Sequence, residues 1–192
     1  MKLSDCIGSI ILASQSPARK AVLESMGIKV TVHVTHADET HEGSDPGSIV
    51  ALLARRKLDS AIKSLGDREC MLCCDTLVYC NGALVGKAHS PEEARGMLRS
   101  FSSQSQEVYS GYALLYSGRI IEGFDKAVVT FKALSDEQID SYISTGEYIG
   151  AAGAYRIQGK ARALIDSTQG DINTVIGLPL AALEQRLDEL CR

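Results

Sequence analysis

Asp75 is the only charge in the stretch Met71-Leu72-Cys73-Cys74-Asp75-Thr76-Leu77-Val78. A lone carboxylate in an apolar strand costs on the order of several kcal/mol unless a cation, hydrogen-bond donors or a metal compensates it. Carboxylates in such settings are candidates for proton transfer, because burial and neighbours tune their titration. The competing reading is a half-exposed strand with Asp75 turned to water. The apolar residues on both sides weigh against it.

A second cluster is Ala13-Ser14-Gln15-Ser16-Pro17-Ala18-Arg19-Lys20. A strand ends in two serines and a helix begins at once. Unpaired backbone N–H groups and the helix dipole at that point favour an anion. Ser14 and Ser16 add hydroxyl donors, and Arg19 adds a guanidinium fork suited to phosphate. The same residues also fit a plainer role, with Ser16 as a helix cap and Arg19 as a surface charge.

Other residues are open in the same way. Lys57 follows Leu53 by one helical turn, so it is either a solvated charge or a cation reaching from an apolar face. Lys87 follows Gly86, where backbone can approach a ligand closely. Asp38-Glu39-Thr40 lies at the exit of a strand, where carboxylates can hold Mg²⁺ or simply form a polar loop. Gly153-Ala154-Tyr155-Arg156-Ile157-Gln158-Gly159 and the segment from Gly170-Asp171 to Gly177-Leu178-Pro179 are glycine-rich. Gln158 offers both a donor and an acceptor, which suits a pyrimidine edge, although ordinary turns account for the glycines equally well.

The elements that must position these groups alternate along the chain. Ser9 to Ala13 fits a buried strand, and Ser16-Pro17 starts a helix that Gly27 closes. Lys29 to Thr35 reads as a strand. Asp45-Pro46 opens a long helix ending at Gly66, with Ile49, Leu52, Leu53, Ile62 and Leu65 assigned to one apolar face. Met71 to Tyr79 is a strand, and Asn81-Gly82 is a hairpin signal. Ser90-Pro91-Glu92-Glu93 and Ser135 to Gln138 are capping boxes, opening helices that run to about Phe101 and Gly146. Two strands flank Ser117-Gly118, and a last helix after Pro179 carries Leu183, Leu187 and Leu190 inward. This pattern predicts an α/β fold around a mixed sheet with flanking helices.

The chain has 192 residues, enough for one domain over residues 1–192 with a sizeable core or for two lobes sharing a cleft. Apolar residues make up 45% and charged residues 23%, an ordinary balance for a globular chain. The net charge of −4 gives no basic footprint for nucleic acid, so no nucleic-acid partner is expected. No apolar run approaches the ~20 residues of a membrane span, and Met1 to Gly8 lacks the features of a signal peptide. A cytoplasmic protein with no membrane partner is the expectation. Of the 6 cysteines, Cys70, Cys73 and Cys74 fall in the buried strand and should act as small hydrophobes. Cys70-x-x-Cys73 has neither a second pair nor spaced histidines, so zinc is not its expected use.

Taken in order, these segments resemble the Maf family of nucleotide pyrophosphatases. The resemblance rests on Leu12-Ala13-Ser14-x-Ser16-Pro17-x-Arg19, Asp38-Glu39-Thr40, Leu53-Ala54-x-x-Lys57, Asp75-Thr76, Gly86-Lys87 and Gly146-Glu147, then on Ala152-Gly153-Ala154-Tyr155-x-Ile157-Gln158-Gly159 and Gly177-Leu178-Pro179-Leu180. It implies an enzyme that hydrolyses nucleoside triphosphates to monophosphate and pyrophosphate. Asp75 would be the proton acceptor. Ser14, Ser16, Arg19, Lys57 and Lys87 would hold the triphosphate, and Glu39 with Asp75 would hold a divalent metal, Mg²⁺ or else Mn²⁺. It further implies two lobes around a cleft, a fold like that of inosine-triphosphate pyrophosphatases, and a homodimer. Thr76 and Gln158 match the dTTP/UTP branch. Ala18 stands where that branch usually has an arginine, Ala88 replaces the proline of Gly-Lys-Pro, and Ala151 replaces a usual lysine, so looser base selection is expected. Two alternatives accompany this reading: cleansing of purine nucleotides of the inosine-triphosphate type, and a non-catalytic nucleotide-binding regulator of cell division.

Overall fold

In the computed structural model, which describes residues 2–67 and 70–190, strands and helices alternate as the patterning predicts. In chain order they are α1 (Leu3–Cys6), β1 (Ser9–Leu12), α2 (Pro17–Ser25), β2 (Lys29–Val32), α3 (Pro46–Leu65), β3 (Met71–Cys80), β4 (Ala83–Val85), α4 (Pro91–Phe101), β5 (Ser105–Tyr116), β6 (Arg119–Phe131), α5 (Asp136–Ile143), a 3₁₀ turn over Lys160–Leu164, β7 (Ile165–Gln169), α6 (Ile172–Ile176) and α7 (Leu180–Leu190). The sheet runs β2-β1-β3-β5-β6-β7, and β4 pairs with β3 as its seventh strand. β1 is parallel to β2 and β3, whereas β4 and β7 are antiparallel to β3 and β6. The sheet is therefore mixed, with flanking helices.

Caps and turns set the element boundaries. Ser16, Asp45 and Ser90 accept the N–H of Arg19, Ser48 and Glu93 at 3.4, 2.8 and 3.1 Å. Each is followed by proline at the first helical position. Ser135 and Gln138 form the full reciprocal box. The expected box at Ser90 is half made: the Glu93 carboxylate accepts the N–H of His89 at 2.7 Å, one residue earlier than the pattern requires. Asn81-Gly82 and Ser117-Gly118 both lie in the left-handed region, with φ of 50°, 82°, 50° and 71°, as tight strand reversals require. The strand expected over Lys29 to Thr35 stops at Val32. Its partner β1 ends at Leu12, whose carbonyl takes the last bond, from His33 N–H.

The chain divides into two compact units. One comprises Met1–Asp75, Ser110–Asp125 and Gly177–Arg192, the other Thr76–Tyr109 and Lys126–Ile176. In the first unit, strand alternation builds two apolar layers. Ile10 and Leu12 of β1, Leu72 and Cys74 of β3, and Tyr112 and Leu114 of β5 pack with Leu23 of α2 and with Leu183 and Leu187 of α7. The intervening residues Ile11, Ala13, Met71, Cys73, Ala113 and Leu115 pack with Ala54, Leu58 and Ala61 of α3. Burial on both faces explains why these strands read as continuous apolar runs. The buried face of α3 is Ile49, Val50, Leu53, Ala54, Leu58 and Ala61. This corrects the expected stripe, because Leu52 and Leu65 are exposed. Small alanines do the packing there, since they let the helix lie close to the sheet.

The second unit has its own core. Phe101 of α4, Phe131 of β6 and Tyr155 are neighbours in it, with ring centroids 5.5 Å apart for the first pair and 5.1 Å edge-on for the second. Val78, Leu98, Ile139, Tyr142 and Ile157 surround them.

Gly111 of β5 lies on the α3 face, where a Cβ would overlap the backbone carbonyl of Val50. Neither backbone can yield without disturbing the sheet or the helix. Gly111→Ala should therefore cost about 1–3 kcal/mol, in the range of overpacked cores, read as a lower urea midpoint at unchanged slope.

Candidate active site

The alternation that builds the first unit also aims Asp75. Met71, Cys73 and Asp75 share the face of β3 that meets α3. On α3, Lys57 stands one turn beyond buried Leu53, so its stem runs over the same layer. The two charges meet there: Lys57 Nζ donates to Asp75 Oδ1 in a short ion pair, with the side chains only 15% and 13% exposed. Glu39 Oε1 reaches the same ammonium at 2.9 Å from its exposed loop. Burial pushes the Lys57 pKa down, but the facing Asp75 carboxylate, and then Glu39, outweigh it and hold the ammonium above the ordinary lysine value.

The loop that presents Glu39 is held from below. Asp38 folds back on Thr40, accepting its N–H and its hydroxyl at 2.9 Å each. Arg56, next to Lys57 on α3, donates to the carbonyls of Asp38 and Thr40, which flank Glu39 on either side. Arg56 is a neighbour of the candidate site that sequence reasoning did not single out. Its only signal was position, one residue before a candidate lysine.

Ser14 and Arg19 form a second group in the same unit. Ser14 continues the face of Ile10 and Leu12, toward α2. Its hydroxyl oxygen accepts Ser16 N–H at 3.2 Å and Arg19 Nη1 at 3.0 Å. Arg19 also donates from Nη1 to the carbonyl of Cys74, beside Asp75, at 2.9 Å and from Nε to the carbonyl of Gly177 at 2.7 Å. One guanidinium thus ties the end of β1, the middle of β3 and the loop before α7. Ser16 is the cap of α2, and Ala18 sits in its first turn, half-buried.

Three further candidates lie in the second unit. Thr76 is half-buried and shares the strand face of Val78 and Cys80. Lys87 is exposed, and its backbone bridges to Ala152, while Gly153 N–H donates to Gly86 carbonyl at 2.9 Å. The Gly86-Lys87 and Ala152–Gly159 motifs are therefore joined side by side. Gln158 is exposed, between buried Ile157 and Gly159.

A family profile described as Maf-like protein matches residues 9–190. The chain belongs to the Maf family. Among similar Maf proteins, those of Pelotomaculum thermopropionicum and Bacillus cytotoxicus are both 38% identical, over 181 and 180 residues, covering 93% of this chain and 94% of theirs. One from Bacillus cereus is 36% identical over 181 residues, covering 94% of each. All three are named dTTP/UTP pyrophosphatase. A solved HAM1 protein from Coxiella burnetii aligns with a TM-score of 0.44 at 16% identity, covering 94% of this chain and 98% of that one.

Two features of this Maf chain bear on metals. Glu39 and Asp75 already converge on one cation, so their oxygens can face a divalent ion that takes its other ligands from substrate phosphates and water, as Mg²⁺ commonly does. Among the described residues no group of three or more His, Cys, Asp or Glu forms a closed cage. Cys73 and Cys74 are buried in β3 as small hydrophobes, whereas Cys70 lies just before the strand and is half-buried, which corrects its expected place; burial pushes the thiol of Cys70 up to about 12, that of Cys74 up to about 11, and that of Cys73 in the same direction. Of the departures from the family pattern, Ala88 is buried in the second core and Ala151 is half-buried.

The raised Lys57 pKa fixes the sign of a pH effect. Its stabilisation is complete below the unfolded lysine value of ~10.4 and is lost only as pH rises through the higher folded value. Lys57→Met should lower stability by about 1–3 kcal/mol, between the limits for exposed and fully buried pairs. That difference should stay level across neutral pH and shrink in strongly alkaline solution, as followed by urea unfolding at a series of pH values.

Proposed function

We propose that this chain hydrolyses nucleoside triphosphates, dTTP and UTP foremost, to the monophosphate and pyrophosphate. The observation that carries the reading is the Asp75 carboxylate, sunk at a strand and held by the ammonium of Lys57, in a Maf protein whose relatives are named for that activity. In this reading Asp75 accepts a proton from water. The water oxygen bonds to the α phosphorus, the bond to the α,β-bridging oxygen breaks, and pyrophosphate leaves with the electron pair.

The other residues hold charge and position. Lys57 offsets the carboxylate and supplies a cation to the triphosphate. The start of α2, with the hydroxyls of Ser14 and Ser16 and the charge of Arg19, supplies donors for phosphate oxygens. Lys87 adds a cation for the leaving group, whose several negative charges need it. Mg²⁺, with Mn²⁺ as substitute, would be held by Glu39 and Asp75 and would neutralise phosphate charge as a Lewis acid. Gln158 can pair with the O4 and N3–H edge of uracil or thymine, and Thr76 adds a hydroxyl. Ala18 stands where the dTTP/UTP branch usually has an arginine, so discrimination is looser. A homodimer in the cytoplasm is the form proposed for it.

Two measurements test this. Asp75→Asn should lower kcat by about 10²–10⁴ while nucleotide binding persists, and activity comparable to the parent's would remove Asp75 from the mechanism. A panel of triphosphates should release pyrophosphate, fastest from UTP and dTTP. Orthophosphate as the main product would overturn the bond assignment, whereas faster turnover of inosine or guanosine triphosphate would favour the purine-cleansing alternative. Tight binding with no turnover would leave only a regulatory module.

A further inference from the structure

Gln158 stands in a turn closed by its own backbone bond, Gly159 N–H to the Arg156 carbonyl at 3.0 Å, and tied on both sides to the segment from Tyr142 to Ile149. Ile157, before it, is buried in the second core. After it, Gly159 begins the Lys160–Leu164 turn but has no side chain with which to cap it. The carboxylate of Glu147 supplies that cap, accepting Lys160 N–H at 2.8 Å. It lies so close to Gly159 that any Cβ there would overlap its Oε2. Arg156, on the other side of Gln158, donates from Nε to the carbonyl of Glu147 at 2.8 Å and from Nη2 to the carbonyl of Ile149 at 2.7 Å. Its own N–H donates to the Tyr142 hydroxyl at 3.1 Å. Glu147 is itself anchored, its N–H donating to Thr145 Oγ1 at 3.2 Å.

We propose that Glu147 is a positioning residue for base selection: through Lys160 N–H and the cleared space at Gly159 it fixes where Gln158 presents its amide. The inference rests on the proposal that Gln158 reads the base. A charge-assisted bond from a carboxylate to a backbone N–H is stronger than a neutral one, which suits a residue that must hold an exposed side chain in register. Glu147 touches no reacting atom in this scheme, so its loss moves selection rather than the chemical step.

The test compares kcat and KM for UTP and GTP, with Mg²⁺, in the full-length protein. Glu147→Ala should lower the UTP-to-GTP ratio of kcat/KM roughly tenfold, the scale of one lost hydrogen bond, through the KM for UTP with kcat little changed. Glu147→Gln keeps an acceptor oxygen for Lys160 N–H and should restore the ratio; a ratio as low as in Glu147→Ala would overturn the proposal. Gly159→Ala should displace the same carboxylate and lower the ratio, and it carries the test should Glu147→Ala fail to fold. Adding Glu147→Ala to Gly159→Ala should cause no further loss, because both act on one contact. If Gln158→Ala shifts the ratio and neither Glu147→Ala nor Gly159→Ala does, the positioning role falls and the base reading stands. If Gln158→Ala is as selective as the parent, the base reading falls and takes this inference with it.

Discussion

The ion pair between Lys57 and Asp75 joins the long helix of the first unit to its central strand, and the other features of that unit serve to make it possible. A carboxylate this deep needs a counter-charge, and a lysine this deep needs one equally; either alone is a liability. Their meeting requires β3 to keep its register from Met71 onward, so that Asp75 falls on the α3 face. It also requires α3 to lie close to the sheet, which Gly111 and the alanines of α3 permit. Glu39 then joins the same ammonium from a loop that Arg56 holds through the two carbonyls around it.

Arg19 is first of all an architectural side chain, and in the proposed reading it also donates to phosphate. Its guanidinium gathers Ser14 hydroxyl, Cys74 carbonyl and Gly177 carbonyl, three points far apart in sequence. The group that would meet a phosphate is thereby braced against the strand that carries Asp75. A planar fork with several donors can do this, where a lysine would offer only a point charge. Electrostatic catalysis depends on such bracing, because donors that need not reorient cost nothing at the moment of reaction.

Much of the scaffold was legible in local chemistry. Ser16-Pro17, Asp45-Pro46, Ser90-Pro91 and the Ser135 box each start a helix, because a cap satisfies backbone donors within three residues and needs nothing distant. Asn81-Gly82 turns the chain for the same local reason. The errors came where distant partners intervene. Leu52 and Leu65 satisfy helical periodicity, yet the sheet meets α3 along Leu53, Ala54, Leu58 and Ala61. The β2 strand stops where β1 stops offering carbonyls, whatever the β propensity of residues 33–35. β7, over Ile165–Gln169, has a largely exposed sequence and is a strand because β6 pairs with it.

Among the candidate residues the division is similar. Residue types and their order along the chain were enough to mark Asp75, Lys57, Arg19, Ser14 and Glu39 as candidates, since a lone charge in an apolar run and a capped helix start are recognisable in short windows; Glu39, marked as a strand exit, lies well beyond the end of β2 at Val32. They could not show that Lys57 serves Asp75 and Glu39 together, that Arg56 holds the Glu39 loop, or that Glu147 caps the turn after Gln158. Those pairings join residues 13 to 18 positions apart and face to face only after strands and helices have packed. Spacing along a chain encodes which face of an element a residue occupies. Which other element lies against that face is set by the packing of buried side chains, and a single sequence window does not contain it.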